Sequence, residues 1–270
     1  MKMWCASTSE PEAMREPAAH GPDSAAHGRC GETILRVRDL VVGYGKAQVV
    51  HGVSFEVHAG EFVVLLGRNG AGKSTTLQAV SALIPKRGGK VDFLGEDLTD
   101  AKPAHIVGAG LVQVLQAHRV FHALSVEQNL MLGTWARGMR GDRCRLERIY
   151  ALFPELADRR HQLAARLSGG QQQILALGAG VIAEPRLLVL DEPSAGLAPM
   201  VITRILDAVA ALCRQGMAIL LVEQMVEAAL RLADHGYLIE TGKIVGEGSA
   251  ETIRHSDALR SVYLGRHATD

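Results

Sequence analysis

The chain has 270 residues, with 29 basic and 29 acidic side chains. That length accommodates one large α/β domain or a core with a subdomain, and the balanced charge argues against non-specific nucleic-acid binding as the main task. Cys5, Cys30, Cys144 and Cys213 are far apart and form no C-x-x-C pair, and the 11 histidines lack ligand spacing, so neither a disulfide framework nor a metal cluster is expected and a reducing compartment fits.

Residues 1–31 are rich in Ala, Pro, Glu, Ser and Gly and lack an apolar stretch. They read as a disordered tail rather than a secretory signal. No uninterrupted apolar run reaches the roughly 18 residues of a transmembrane helix. Residues 34–42 read as a half-buried strand, 53–57 alternate as a strand, and 61–66 form a continuous buried one. Residues 74–84 read as a helix. Between strand and helix stand Gly67, Arg68, Asn69, Gly70, Ala71, Gly72, Lys73 and Ser74, which fit G-x-x-x-x-G-K-[ST] at every fixed position. A strand, a glycine loop and a helix N-terminus aim backbone N–H groups at one point and favour an anion there. Glycine lets the backbone approach closely. Lys73 then reaches the β- and γ-phosphates and Ser74 holds Mg2+.

After a Pro-Gly break at 85–89, residues 91–94 form a short strand. From about 98 to 167 strand signals fade and helical stretches dominate, notably 126–135 and 145–153, which reads as a helical insertion. Ser168 and Gln171 have capping-box spacing ahead of an apolar helix. Ser168, Gly169 and Gly170 at its start would also make an anion nest. Gly178 and Gly180 in that helix each cost about 1 kcal/mol against alanine if interior.

The α/β pattern then returns. Residues 187–190 and 218–222 are apolar runs of the kind found in parallel strands buried on both faces. Helices at 201–214 and 226–233 supply crossovers, and Thr241-Gly242 marks a hairpin between 237–240 and 243–245. Asp191 and Glu192 end the first run, where ligands gather in open α/β sheets. Asp191 there can hold Mg2+ and Glu192 can orient or deprotonate a water.

Three motifs in this order, the loop at Gly67, the helix start at Leu167 to Gln171 and the carboxylates at Asp191 and Glu192, resemble the ABC-transporter ATP-binding subunits. The resemblance spans about residues 34–265. It implies a phosphate-loop NTPase core of ABC ATPase type, with an inserted helical subdomain and an antiparallel β-subdomain in a domain of residues 32–265, followed by a short tail at 266–270. It further implies ATP and Mg2+ as ligands. Tyr44 stacks on adenine, Thr75 joins the phosphate loop, Gln116 senses Mg2+ (with Gln113 close by in sequence), and Gln224 occupies a switch position where most members carry histidine. Ser168, Gly169, Gly170 and Gln171 serve the nucleotide of a facing chain.

Glu223-Gln224, the segment 194–199 and the ending 250–265, with Tyr263-Leu264-Gly265, resemble the second ATP-binding subunit of branched-chain amino-acid importers; the alternatives are the related urea and short-amide importer ATPases and a soluble ABC ATPase that does not serve transport. Implied partners are two membrane permeases, a paralogous ATPase or a second copy, and indirectly a periplasmic or lipid-anchored solute-binding protein, at the cytoplasmic face of the membrane and without nucleic acid. The chain departs from the subgroup at Leu115-Gln116-Ala117-His118, Ala179 and Met225.

Overall fold

The computed structural model describes residues 31–116, 119–135, 137–138 and 143–264. The expected tails at 1–31 (apart from Gly31) and 266–270, together with Gly265, Ala117 and His118, lie outside the described residues. Strands β1 (Thr33–Tyr44), β2 (Ala47–His58), β4 (Lys86–Phe93) and β5 (Glu96–Asp97) form an antiparallel sheet in the order β2-β1-β4-β5. The second sheet has the order β10-β9-β3-β8-β7-β6, built from β3 (Phe62–Leu66), β6 (Leu111–Val114), β7 (Leu187–Asp191), β8 (Ala218–Glu223), β9 (His235–Glu240) and β10 (Lys243–Ser249). All its pairs are parallel except β9–β10. The helices are α1 (Lys73–Val80), α2 (Pro103–Ala109), α3 (Val126–Trp135), α4 (Arg143–Leu152), α5 (Pro154–Ala157), α6 (Gly169–Val181), α7 (Pro199–Arg214), α8 (Val226–Leu230), α9 (Ala250–His255) and α10 (Asp257–Leu264).

The apolar runs have the reason the sequence suggests. Along β3, Phe62, Val64 and Leu66 enter a core shared with α6 and α7, while Val63 and Leu65 enter a core shared with α1 and the antiparallel sheet. Residues of β7 and β8 alternate in the same way. A strand pleat sends successive side chains to opposite faces, so a strand covered on both faces must be apolar throughout.

Three local readings change. The expected break at 85–89 is strand from Lys86 onward: Lys86 and Gly88 pair with Val42 and Val41, and the chain accommodates an irregular register at Gly89. Gly89 has φ +92, and a Cβ there would stand 2.6 Å from the Arg38 carbonyl oxygen, so glycine permits the pairing rather than ending it. The segment from 98 contains α2 and the edge strand β6 before the helices of α3–α6 begin. The helix after the phosphate loop stops at Val80, because Ala82 turns to φ +54. The hairpin at Thr241-Gly242 has positive φ at both residues (46° and 74°), the conformation of a primed turn.

Candidate active site

The carboxyl ends of β3, β7 and β8 lie side by side, and the loops leaving them carry the polar groups of interest. β3 runs into Gly67 to Gly72, and α1 begins at Lys73 with Gly72 at φ 103 as its cap. A Cβ on Gly67 would collide with the Ile239 carbonyl oxygen, and one on Gly72 would lie 3.4 Å from the Val49 carbonyl, so the loop is pressed between β9 and β2. Ala71 is buried, whereas Arg68, Asn69 and Gly70 are exposed. Lys73 is buried and donates to the carbonyls of Gly67 at 2.9 Å and Arg68 at 3.2 Å. Thr75, next on α1, is half-buried.

Four side chains from three segments converge on Glu192 and Asp191. Ser74 Oγ donates to Asp191 Oδ1 at 2.8 Å. Lys73 Nζ lies 3.3 Å from Glu192 Oε1. Gln116 Nε2 donates to Glu192 Oε2 at 3.1 Å, and Gln224 Nε2 donates to the same oxygen at 2.8 Å. Glu192 sits at φ 46, with its N–H bonded to the Val222 carbonyl, a sparsely populated conformation for a side-chain-bearing residue. Burial raises the Asp191 carboxyl above its ordinary range and the Glu192 charge adds to the rise, while the Ser74 hydrogen bond and Lys73 work against it. Gln116, rather than Gln113, therefore faces the carboxylates. Gln113 lies on β6, its amide buried without a hydrogen-bond partner among the described residues.

Tyr44 is exposed at the end of β1, on the hairpin whose stem borders Gly72. Ser168 caps α6 as the spacing requires: its hydroxyl accepts from the Gln171 N–H at 3.3 Å, and the Gln171 side chain accepts from the Ser168 N–H at 3.0 Å. Ser168 and Gly169 are exposed, Gly170 packs against Val201, and no hydrogen bond or ion pair among the described residues joins this helix start to the phosphate loop. The site within one chain thus consists of the loop, Gln116, the two carboxylates and Gln224.

One participant is absent from the sequence reading of the site. Glu223 is buried at the end of β8, where its carboxylate accepts from the Ser194 N–H at 3.1 Å, the Ser194 hydroxyl at 2.7 Å and the Gln224 N–H at 3.1 Å. It joins the turn after Glu192 to Gln224. The only signal in the sequence is an acidic residue closing an apolar run. From α10, Tyr263 packs toward the loop: burial pushes its phenol up to about 12, the Gly67 backbone offsetting part of the rise and the Glu192 charge adding to it.

The profile of the ABC transporter family matches residues 50–195. The chain belongs to this family. It is 39% identical to the high-affinity branched-chain amino acid transport ATP-binding protein BraG of Pseudomonas aeruginosa, over 82% of this chain and 95% of that protein. It is 31% identical to the lipopolysaccharide export system ATP-binding protein LptB of Haemophilus influenzae, over 86% of this chain and 98% of that one. Among solved structures, the ADP conformation of MJ1267, an ATP-binding cassette of an ABC transporter, superposes with a TM-score of 0.76 at 26% identity, covering 87% of this chain and 100% of that one. The fold is that of the ABC ATPase cassettes, with a phosphate-loop core and an antiparallel β-sheet, and the protein is a transporter ATPase. No helix of the described residues is long and apolar enough to cross a membrane.

Proposed function

We propose that this ABC ATPase is the ATP-hydrolysing subunit that energises import of branched-chain amino acids. Its 39% identity to BraG, over 82% of this chain and 95% of that protein, carries the choice of substrate class. ATP is the substrate of the reaction. Tyr44 stacks on its base, the backbone of residues 67–75 cradles its phosphates, and Lys73 moves from Glu192 and the loop carbonyls to the phosphate charge. Asp191, Ser74 and Gln116 offer oxygen donors, the ligand type that Mg2+ takes. Bound Mg2+ neutralises phosphate charge as it develops.

Glu192 acts as general base, taking a proton from the attacking water, with Gln116 and Gln224 orienting its carboxylate. Gln224 does this as a neutral donor, since an amide has no titratable proton near neutral pH. Ser168, Gly169, Gly170 and Gln171 serve the nucleotide held by a facing ATPase, either a second copy or a paralogue. ATP then binds across two chains and its hydrolysis releases the pair, a ligand-biased two-state equilibrium. The helices between Gln116 and Leu167 transmit this motion to two permeases at the cytoplasmic face of the membrane, and a solute-binding protein delivers the amino acid from the far side.

The test is affinity purification of tagged Glu192→Gln chain from detergent-solubilised native membranes with ATP and Mg2+, followed by mass spectrometry and by radiolabelled leucine uptake in cells lacking the gene. Two multi-span permeases, a second ATPase and loss of leucine uptake are expected. Recovery with lipopolysaccharide-export components, or unchanged uptake of leucine, isoleucine and valine, overturns the substrate assignment.

A further inference from the structure

The loop 182–186 is a covalent joint between the helix that carries Ser168 and the strand that carries Asp191. It is held from both sides. On one side, Arg137 donates to the carbonyls of Ala183 at 3.0 Å and Glu184 at 2.6 Å. From α4, Arg148 pairs with the Glu184 carboxylate at 2.7 Å, and Arg145 pairs with its other oxygen. On the other side, the N–H groups of Arg186 and Leu187 donate to the Gly110 carbonyl ahead of β6. Glu184 itself stands at φ 48, where a β-carbon is costly.

Beside this joint lies a cavity of about 720 Å³ walled by α4, the end of α6 with the joint, and the turn from α7 to β8. That volume falls within the range of small-molecule sites, roughly 300–1,000 Å³. Ile149, Leu152, Ile182, Leu212 and Met217 give it an apolar wall. Its charged lining is three arginines, Arg145, Arg148 and Arg186, against the single carboxylate of Glu184. Both oxygens of that carboxylate are taken by Arg145 and Arg148, and Arg186 is exposed with no side-chain hydrogen bond or ion pair among the described residues. An apolar wall beside surplus guanidinium suits a ligand with a hydrocarbon body and an anionic head, because guanidinium forks bind carboxylates in charge-assisted pairs.

We propose that this cavity binds an amphipathic carboxylate, with the head group at Arg148 and Arg186 and the hydrocarbon body against Ile149, Leu212 and Met217. Arg148 lies on α4 and Arg186 on the strand side of the joint, so one head group between them ties the helices of α3–α6 to the central sheet. The proposal stands on the cavity and its charges and is independent of the transported substrate.

The probe is decanoate, titrated calorimetrically into the full chain, with decanol as the uncharged control. Saturable one-to-one binding with a Kd of about 0.1–1 mM is expected for a ligand of this size. Decanol and the Arg186→Glu variant should each bind about tenfold more weakly or worse, the scale of one charge-assisted hydrogen bond. Met217→Trp, which fills the cavity, should abolish binding. Hydrogen exchange at 182–186 should slow under saturating decanoate. Absence of saturable heat, equal affinity for decanol, or unchanged decanoate affinity in Arg186→Glu overturns the proposal. Arg186 is a surface side chain, so that arm survives if Met217→Trp does not fold. A normal thermal transition of Arg186→Glu separates lost binding from lost structure.

Discussion

The amide of Gln224 donates to the carboxylate of Glu192 at 2.8 Å, so the group that closes off the candidate base is one that cannot change its charge. Gln224 therefore offers the same donor across neutral pH. Replacing Gln224 with His puts an imidazole of ordinary pKa about 6.5 in its place. A protonated imidazole beside Glu192 would pair with it and hold its carboxylate away from proton abstraction. The expected result is a pH–rate profile of the wild type without a limb from this residue between pH 6 and 8, and a variant that loses turnover as pH falls through about 6–7. Superimposable profiles would show that residue 224 does not act on the base.

Glu192→Gln tests the base directly. The isosteric amide keeps the acceptor that Gln116 and Gln224 use but cannot take a proton, and it breaks the 3.3 Å pair with Lys73. Steady-state hydrolysis should fall by about 10²–10⁴-fold, the usual scale for a general base. ATP affinity, read with a fluorescent analogue, should stay equal or tighten because Lys73 is released toward phosphate. Unchanged phosphate release would remove Glu192 from the role.

Asp191 carries a stability cost that can be exposed. Its carboxyl is raised, first by burial and then by the Glu192 charge. A carboxyl with a raised folded pKa weakens the fold once it ionises, and stability grows as pH falls through that pKa. Asp191→Asn keeps an acceptor for Ser74 Oγ and removes the buried charge. The variant should melt higher than the wild type at pH 8, by about 2–4 °C for each kcal/mol recovered in a chain of this size, and the gap should close under acid. Magnesium-dependent nucleotide binding should be lost. A lower melting temperature at pH 8 would mean that the Asp191 charge stabilises the fold.

The sequence discloses those parts of this protein that short-range chemistry dictates. The phosphate loop, the Ser168–Gln171 capping box and the Thr241-Gly242 turn each depend on residues within a few positions of one another, and each stands where the spacing puts it. Gln116 is distinguishable from Gln113 only when β6 is placed, because three positions along the chain separate an amide facing Glu192 from one buried at the sheet edge. The edge strand β6 itself is four residues long and interrupted by Gln113, too short for a pattern. Glu223 is illegible as a partner of Ser194, since 29 residues separate them and only the sheet brings their loops together.

Glu223→Ala follows from that last contact. The buried carboxylate satisfies the Ser194 N–H, the Ser194 hydroxyl and the Gln224 N–H. Truncation leaves the two donors of buried Ser194 without their acceptor, a loss of about 3 kcal/mol when each bond to a charged group contributes about 1.5–3 kcal/mol and part is recovered by relaxation, while Gln224 is exposed. Urea denaturation should show this, and Glu223→Gln, which retains an acceptor oxygen, should lie between. Turnover should also fall in both, because Gln224 loses the anchor of its backbone. Wild-type stability in Glu223→Ala would mean that water replaces the carboxylate without penalty.

The glycines of the helix contact separate two opposing effects. Alanine gains about 1 kcal/mol over glycine in a helix interior, yet overpacking costs about 1–3 kcal/mol. At Gly133 in α3, a Cβ would run into the carbonyl oxygen of Ala179 in α6 and lie 2.8 Å from Ile182 Cγ2. A backbone carbonyl cannot rotate aside, so Gly133→Ala must push the two helices apart. At Gly180 the obstacle is the Val114 methyl at 2.7 Å, a branched side chain with little freedom. At Gly178 the neighbours are methyls of Leu130, Ile149 and Leu156 at 3.1–3.4 Å, which need to yield only a few tenths of an ångström. Urea midpoints should therefore rank Gly133→Ala lowest, Gly180→Ala next, and Gly178→Ala close to the wild type. A ranking with Gly133→Ala at or above the wild type would show that α3 and α6 can separate without loss, and that helix propensity governs all three positions.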